Sequence, residues 1–174
     1  MTSAGKRVAV ALAKNFEDIE ATSPIEALVG AGAEVTVIGT ETGPIEGKKG
    51  AVIEATTTFN DVDPDDFDLL LIPGGGAPEN LRIDDSAVAW TKTFAESNKP
   101  VAAICHGAQL LISAEVLEGR TVTAVNKIRD DIRNAGGNYV DEALVQDGNL
   151  ITSRVPDDLP RFNQALVEVL GGVE

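Results

Sequence analysis

Val8-Ala9-Val10-Ala11-Leu12-Ala13 is an unbroken apolar run, with no polar residue at alternate positions. A strand with one wet face would alternate; a strand covered on both faces, as in a parallel sheet between helices, has no reason to. Leu69-Leu70-Leu71-Ile72 has the same character, and Glu34 to Gly39, Pro100 to Ile104 and Thr121 to Val125 read as further strands. Helical patterns fall between them. Residues 17–31 carry Ala21, Ile25, Leu28 and Val29 at helical spacing, and Pro24 predicts a kink or a late start there. Asp84 to Ser97, residues 107 to Leu117, and Ile128 to Ala135 before Gly136-Gly137 follow as helices. Residues 40–60 form a β-leaning excursion, and Asp147-Gly148 between two apolar stretches signals a hairpin. A final helix opens at Pro156-Asp157-Asp158 and is expected to bury Leu159, Phe162, Leu166 and Val169.

Strands alternating with helices imply right-handed βαβ crossovers and an α/β fold, a parallel sheet with helices on both faces. Sites in such sheets form at the carboxyl ends of the strands. That rule brings together the loops after Ala13, Ile72 and Ile104.

The chain has 174 residues, of which 43% are apolar and only 4% aromatic, so a single domain over residues 1–174 with an Ala/Val/Ile/Leu core is expected. Lys+Arg number 14 against Asp+Glu 28, a net charge of −14, which argues against nucleic acid and anionic membranes as partners. One cysteine and one histidine exclude an intramolecular disulfide and a structural Cys/His zinc site. The apolar run at Val8 is too short to span a membrane, so a cytoplasmic protein is expected. Asp61, Asp63, Asp65, Asp66 and Asp68 lack the order of a calcium loop and read as a solvated approach to the Leu69 strand.

Ala102-Ala103-Ile104-Cys105-His106-Gly107-Ala108 has the form strand–nucleophile–helix. Small flanking residues let the chain turn sharply and expose Cys105, and the following amides favour its thiolate. Consecutive side chains diverge at such a turn, so the ring of His106 is not expected to turn easily onto the sulfur, while its backbone N–H faces an oxyanion. The ring is a catalytic candidate that either acts as a base or only packs and orients. Gly74-Gly75-Gly76 is neither a dinucleotide fingerprint nor a phosphate loop; contiguous glycines suit an oxyanion hole. Glu17, after the first strand, lies at the same sheet edge, where a partly desolvated carboxyl can keep a proton at neutral pH and hold the sulfur.

The chain resembles the ThiJ/PfpI superfamily, and within it the branch of intracellular peptidases, general stress proteins and deglycases. The resemblance runs nearly end to end. It is carried by Phe16-Glu17-Asp18-Ile19-Glu20, Phe67-Asp68 leading to Pro73-Gly74-Gly75, Ala77-Pro78-Glu79, Ala103-Ile104-Cys105-His106-Gly107, Ile128-Arg129-Asp130-Asp131 and Ser153-Arg154-Val155-Pro156-Asp157. It implies a flavodoxin-like three-layer α/β sandwich with a mostly parallel sheet, like that of class I glutamine amidotransferases, with Cys105 as nucleophile, Glu17 as the acid holding its sulfur, and oxyanion donors among the amides of Gly75, Gly76 and His106. It also implies a homo-oligomer, dimer or hexamer, in which Glu79 faces His106 from a neighbouring subunit. No metal or cofactor is implied. Two departures, Gly76 where relatives carry Arg and Val125-Asn126-Lys127 for a Tyr-Pro-Gly-like stretch, rank peptide hydrolysis second. Ahead of it stands action on reactive carbonyls, either conversion of methylglyoxal to lactate or removal of early glycation adducts from proteins. A redox-sensing stress protein or chaperone using the same thiol is the non-enzymatic alternative.

Overall fold

The computed structural model describes residues 3–171. Its strands are β1 (Arg7–Ala11), β2 (Glu34–Gly39), β3 (Gly43–Glu46), β4 (Val52–Ala55), β5 (Thr57–Thr58), β6 (Leu69–Ile72), β7 (Val101–Ile104), β8 (Thr121–Val122), β9 (Asn138–Tyr139), β10 (Val145–Asp147) and β11 (Leu150–Ser153). The helices are α1 (Asp18–Gly30), α2 (Ala77–Leu81), α3 (Asp85–Glu96), α4 (Ala108–Ser113), α5 (Arg129–Asn134) and α6 (Leu159–Gly171). The main sheet runs β10-β11-β7-β6-β1-β2-β5, parallel throughout except for the β10–β11 hairpin. Helices cover both sides, α1 packed on α6 and α2 and α3 on α4. The central strands are dry: Val8 to Leu12, Leu69 to Ile72 and Val101 to Ile104 are buried on both faces. The alternation of β runs and helices therefore led to the observed architecture.

Four details depart from the sequence reading. Helix α1 starts at Asp18 and continues through Pro24, with no late start. Proline lacks only the N–H that would have reached the Glu20 carbonyl, and the packing of the buried stripe Glu20, Ala21, Pro24 and Leu28 outweighs that bond. Strand β8 stops at Val122 and pairs only with β9, outside the main sheet. Beyond it the Thr123 amide donates to Thr152 Oγ1 at 3.0 Å and the Val125 amide to the Cys105 carbonyl at 3.2 Å, so the segment crosses the sheet end instead of extending it. Helix α4 ends at Ser113 because Glu115 adopts a left-handed conformation, φ 60°. In α6 Leu170 is fully buried, and Val169 only half so.

The Ser153-Arg154-Val155-Pro156-Asp157 stretch closes the sheet to α6. Arg154 donates through Nε and Nη2 to both oxygens of the buried Asp158, each at 3.0 Å, and through Nη1 to Asp141 at 3.0 Å. Burial alone would raise Asp158; the hydrogen bonds and charge of Arg154 outweigh it and hold the carboxyl below its usual range. Arg154→Met leaves that carboxylate buried without its partner and is expected to cost about 2 kcal/mol by urea unfolding at pH 7. Because the folded group is the more acidic, the wild-type advantage shrinks as pH falls through the carboxylate range, and the two unfolding curves converge there.

Candidate active site

Strand β7 delivers Cys105 to its carboxyl end at φ 60°, a left-handed conformation uncommon for a residue with a Cβ, and the turn Cys105–Gly107 leads straight into α4. Gly107 makes the bend possible, since a Cβ there would stand 2.5 Å from the Ile72 carbonyl oxygen at the tip of β6. The thiol is half-buried. The backbone N–H of His106 hydrogen-bonds the sulfur. The His106 ring also turns toward it, with Nδ1 3.4 Å from Sγ, which corrects the expectation that the two side chains diverge. Left-handed backbone at Cys105 followed by a tight turn swings both side chains to one side.

The three strand-end loops do meet. Phe16 and Gly75 form an antiparallel bridge, in which the Gly76 amide donates to the Asn15 carbonyl at 2.7 Å and the Glu17 amide to the Gly74 carbonyl at 3.3 Å. The Gly76 amide is thereby occupied and is not an oxyanion donor as the chain stands. Gly75, at φ 72°, donates to nothing among the described residues.

The acid beside the sulfur is Glu20, not Glu17. Glu20 is fully buried, its Oε1 accepts from the Gly74 amide at 3.0 Å, and its carboxyl meets the Cys105 thiol. Apart from that contact Oε2 has no partner. Glu17 instead turns to the β3–β4 hairpin, where Lys48 Nζ is 2.7 Å from Oε2 and Lys49 Nζ 2.6 Å from Oε1. A sequence signal for Glu20 existed: it stands four and eight residues before Pro24 and Leu28, on the stripe of α1 that packs inward. An acid on that stripe has to find a polar partner inside. Glu79 is exposed on α2, and its charge reaches His106 within the same chain.

The DJ-1/PfpI family model matches residues 6–169. The chain belongs to that family. It is 46% identical over 166 residues to the Bacillus subtilis protein named "Putative cysteine protease YraA", covering 95% of this chain and 98% of the relative. It is 45% identical over 164 residues to "Deglycase TK1284" of Thermococcus kodakarensis, covering 94% and 99%. Among solved structures, a two-domain Anabaena variabilis protein with DJ-1/ThiJ/PfpI-like and ferritin-like domains superposes with a TM-score of 0.94 at 41% identity. That match covers 95% of this chain and 48% of the two-domain one.

In this DJ-1/PfpI chain the two glutamates of the Glu17-Asp18-Ile19-Glu20 stretch are driven apart electrostatically. Burial alone would raise Glu17, but the hydrogen bonds and charges of Lys48 and Lys49 outweigh it and keep Glu17 ionised below the usual range. Burial pushes Glu20 up to about 7, assisted by the negative charge of Glu17 and opposed by the Gly74 amide. Burial and the charge of Glu20 push the Cys105 thiol up to about 12, against the His106 amide and Lys48. The amides alone therefore do not produce the low thiol pKa expected from the sequence. Glu20 and Cys105 face each other and lose their protons as a pair, the first near pH 7 and the second only near 12. Between those steps the pair carries one negative charge and one proton. Burial lowers His106 below its ordinary value, so its ring is neutral at pH 7 and offers a base.

Among the described residues, no helix is long and apolar enough to cross a membrane, and no group of three or more His, Cys, Asp or Glu is placed to hold a metal ion. The acidic approach to β6 has local structural roles: Asp63 caps the turn Pro64–Asp66, and Asp68 accepts from the Arg7 amide at 2.9 Å.

Proposed function

We propose that the chain is a cysteine-dependent enzyme acting on reactive carbonyls, as a methylglyoxal-to-lactate converter or a protein deglycase. One observation carries this reading: the sulfur of Cys105 lies between a proton-holding carboxyl, Glu20, and a neutral imidazole, His106, 3.4 Å away. The thiolate attacks the aldehyde carbon, an S–C bond forms, and the carbonyl π pair becomes an alkoxide that takes a proton from Glu20. The unoccupied Gly75 amide supports that oxygen. His106 then moves the proton on the aldehyde carbon to the neighbouring carbonyl carbon by way of an enediol. Glu20, ionised after the first step, carries the hydroxyl proton from the first oxygen to the second, and the resulting lactoyl thioester is cleaved by water to lactate and thiol. Methylglyoxal plus water equals lactate, so no oxidant, reductant, metal or cofactor is consumed. The name of the Thermococcus relative supports the carbonyl reading, and that of YraA supports peptide hydrolysis by the same nucleophile.

The working unit in this reading is a cytoplasmic homo-oligomer in which a second copy covers α2. The test compares methylglyoxal loss, release of glycated adducts and casein cleavage by wild type and Cys105→Ala. Wild type is expected to consume the carbonyl at least about a hundredfold faster than the variant. Equal rates exclude the reading, and casein cleavage without carbonyl turnover replaces it with the peptidase.

A further inference from the structure

The tip of the β3–β4 hairpin is clasped by one carboxylate. Asp18, the first residue of α1, accepts from the Lys49 amide through Oδ1 at 3.0 Å and from the Ala51 amide through Oδ2 at 2.8 Å. Its carboxyl lies inside the bend of the tip, where only glycine fits at position 47, since a Cβ there would collide with Oδ1. Two backbone bonds complete the attachment: the Lys48 amide to the Phe16 carbonyl at 3.0 Å, and the Asn15 amide to the Glu46 carbonyl at 2.9 Å. Burial alone would raise Asp18. The amides of Ala51 and Lys49, its own amide and the charge of Lys49 outweigh it and hold the carboxyl below its usual range, so the clasp stays ionised around neutral pH.

The tip in turn carries the two cations on which Glu17 depends. Glu17 is buried, and among the described residues its carboxylate is met only by Lys48 at 2.7 Å and Lys49 at 2.6 Å, whose side chains reach in from solvent. Holding two long side chains in one geometry costs entropy, least when their backbone is already fixed. Glu17 and Asp18 against Lys48 and Lys49 make a balanced group of four charges, so the clasp adds no net charge to the site; it sets where the charges stand. Of the charged groups that bear on the Glu20–Cys105 pair, Glu17 raises Glu20, while Lys48 lowers both Glu20 and Cys105. Glu79 and Lys127 act on the His106 ring.

We propose that Asp18 is a positioning residue for the active site: by clasping the hairpin tip it keeps Lys48 and Lys49 on Glu17, so that Glu20 alone meets the sulfur of Cys105. This rests on the function proposed above only in taking Cys105 as the nucleophile.

The midpoint of Cys105 alkylation by iodoacetamide against pH tests the role, read as a change from wild type wherever the wild-type midpoint falls. Asp18→Asn leaves one acceptor oxygen for two amides and turns an NH2 on the other, so the tip loosens and the lysines leave Glu17. Glu17 then acts on Glu20 without its counter-ions, and Lys48 no longer acts on either member of the pair. The midpoint is expected to rise by about half a pH unit or more, which slows alkylation at pH 7 at least about twofold. The sign decides. Removing one negative charge from an unmoved structure would lower the midpoint, and a purely structural fastening would lower the urea midpoint while leaving the alkylation profile in place. Either result overturns the proposal.

Adding Glu17→Gln to Asp18→Asn removes the carboxylate left without partners and is expected to return the midpoint to the wild-type value or below; a midpoint that stays high overturns the route through Glu17. Lys48→Gln combined with Lys49→Gln changes only exposed side chains and keeps the backbone bonds of the clasp. It should reproduce the rise, and an unmoved midpoint there overturns the proposal even if Asp18→Asn fails to fold. The control is Asp68→Asn, which weakens a carboxylate bond to the Arg7 amide at the opposite end of the sheet. It is expected to lose stability with the alkylation midpoint unmoved; an equal rise there would show that the shift is not particular to the clasp and would overturn the proposal. No carbonyl substrate enters these measurements, so a protein that alkylates as expected but consumes no carbonyl refutes the proposed function alone.

Discussion

Glu20→Leu is expected to reduce turnover at pH 7 by about two orders of magnitude, the range attributed to a single general acid–base group, whereas Glu17→Gln changes it less than about tenfold. The asymmetry follows from where the two carboxyls point. In the proposed mechanism Glu20 shares its proton with Cys105, and the pair yields its first proton near pH 7. Wild-type alkylation by neutral iodoacetamide should therefore rise through an apparent pKa near 7, as the single charge becomes available to the sulfur. In Glu20→Leu the thiol is alone in a desolvated pocket. Burial still holds it above its ordinary value, though below the position it has beside the Glu20 charge, and reactivity appears only in solution more alkaline than pH 7. Glu17→Gln moves the profile the other way. Its negative charge is one of the influences raising Glu20, so its removal shifts the first step toward lower pH while leaving the proton carrier in place. Faster alkylation of Glu20→Leu than of wild type at pH 7 would show that the shared charge stays on the carboxylate, and the role given to Glu20 would fall.

The Glu17 assignment also marks the limit of what the sequence could reveal. Dry strands announce themselves by composition: Leu69–Ile72 was readable residue for residue, because its pattern is local and a parallel sheet covers both faces. Glu34–Gly39, buried only in its second half, was equally readable from its β-branched run before a glycine. The elbow at Cys105 and the hairpin at Asp147-Gly148 are likewise short-range features, fixed by small residues and turn chemistry. Choosing between Glu17 and Glu20 needs the rotation of α1 against the sheet and the position of a hairpin tip more than thirty residues away, whose Lys48 and Lys49 claim Glu17. Contacts at that separation leave no periodic trace. The peeling of residues 123–125 away from the main sheet is of the same kind, since it depends on a bond to the Cys105 carbonyl. The same holds for the Gly76 amide, which is spent on Asn15 and could not be seen as unavailable from three contiguous glycines.

Gly74→Ala should separate catalysis from folding more sharply than any change to a charged residue. Gly74 needs no left-handed backbone, so alanine meets no conformational penalty there, and the whole effect comes from the added methyl. That methyl would sit 2.5 Å from Glu20 Oε1, 2.8 Å from the Ile104 carbonyl oxygen and 3.0 Å from Cys105 Cβ. Two of these neighbours are backbone or Cβ atoms of the elbow, relieved only by a small shift of the end of β7, and the Glu20 carboxylate, the end of a side chain, is displaced furthest. It then loses the Gly74 amide bond at 3.0 Å and its contact with the sulfur together. Overpacking of this size costs about 1–3 kcal/mol, measurable in the urea midpoint with an unchanged slope. Turnover is expected to fall to the level of Glu20→Leu, and the iodoacetamide profile to shift alkaline in the same manner. Gly75→Ala adds strain at φ 72° and a collision with the Glu17 amide, so it should lose more stability. Gly30→Ala, at the end of α1 with nothing within 4 Å of the new methyl, should be neutral or stabilising by up to about 1 kcal/mol. A Gly74→Ala protein with wild-type turnover and thiol titration would mean that Glu20 can leave its seat against Gly74 without consequence, which is incompatible with its holding the proton for Cys105.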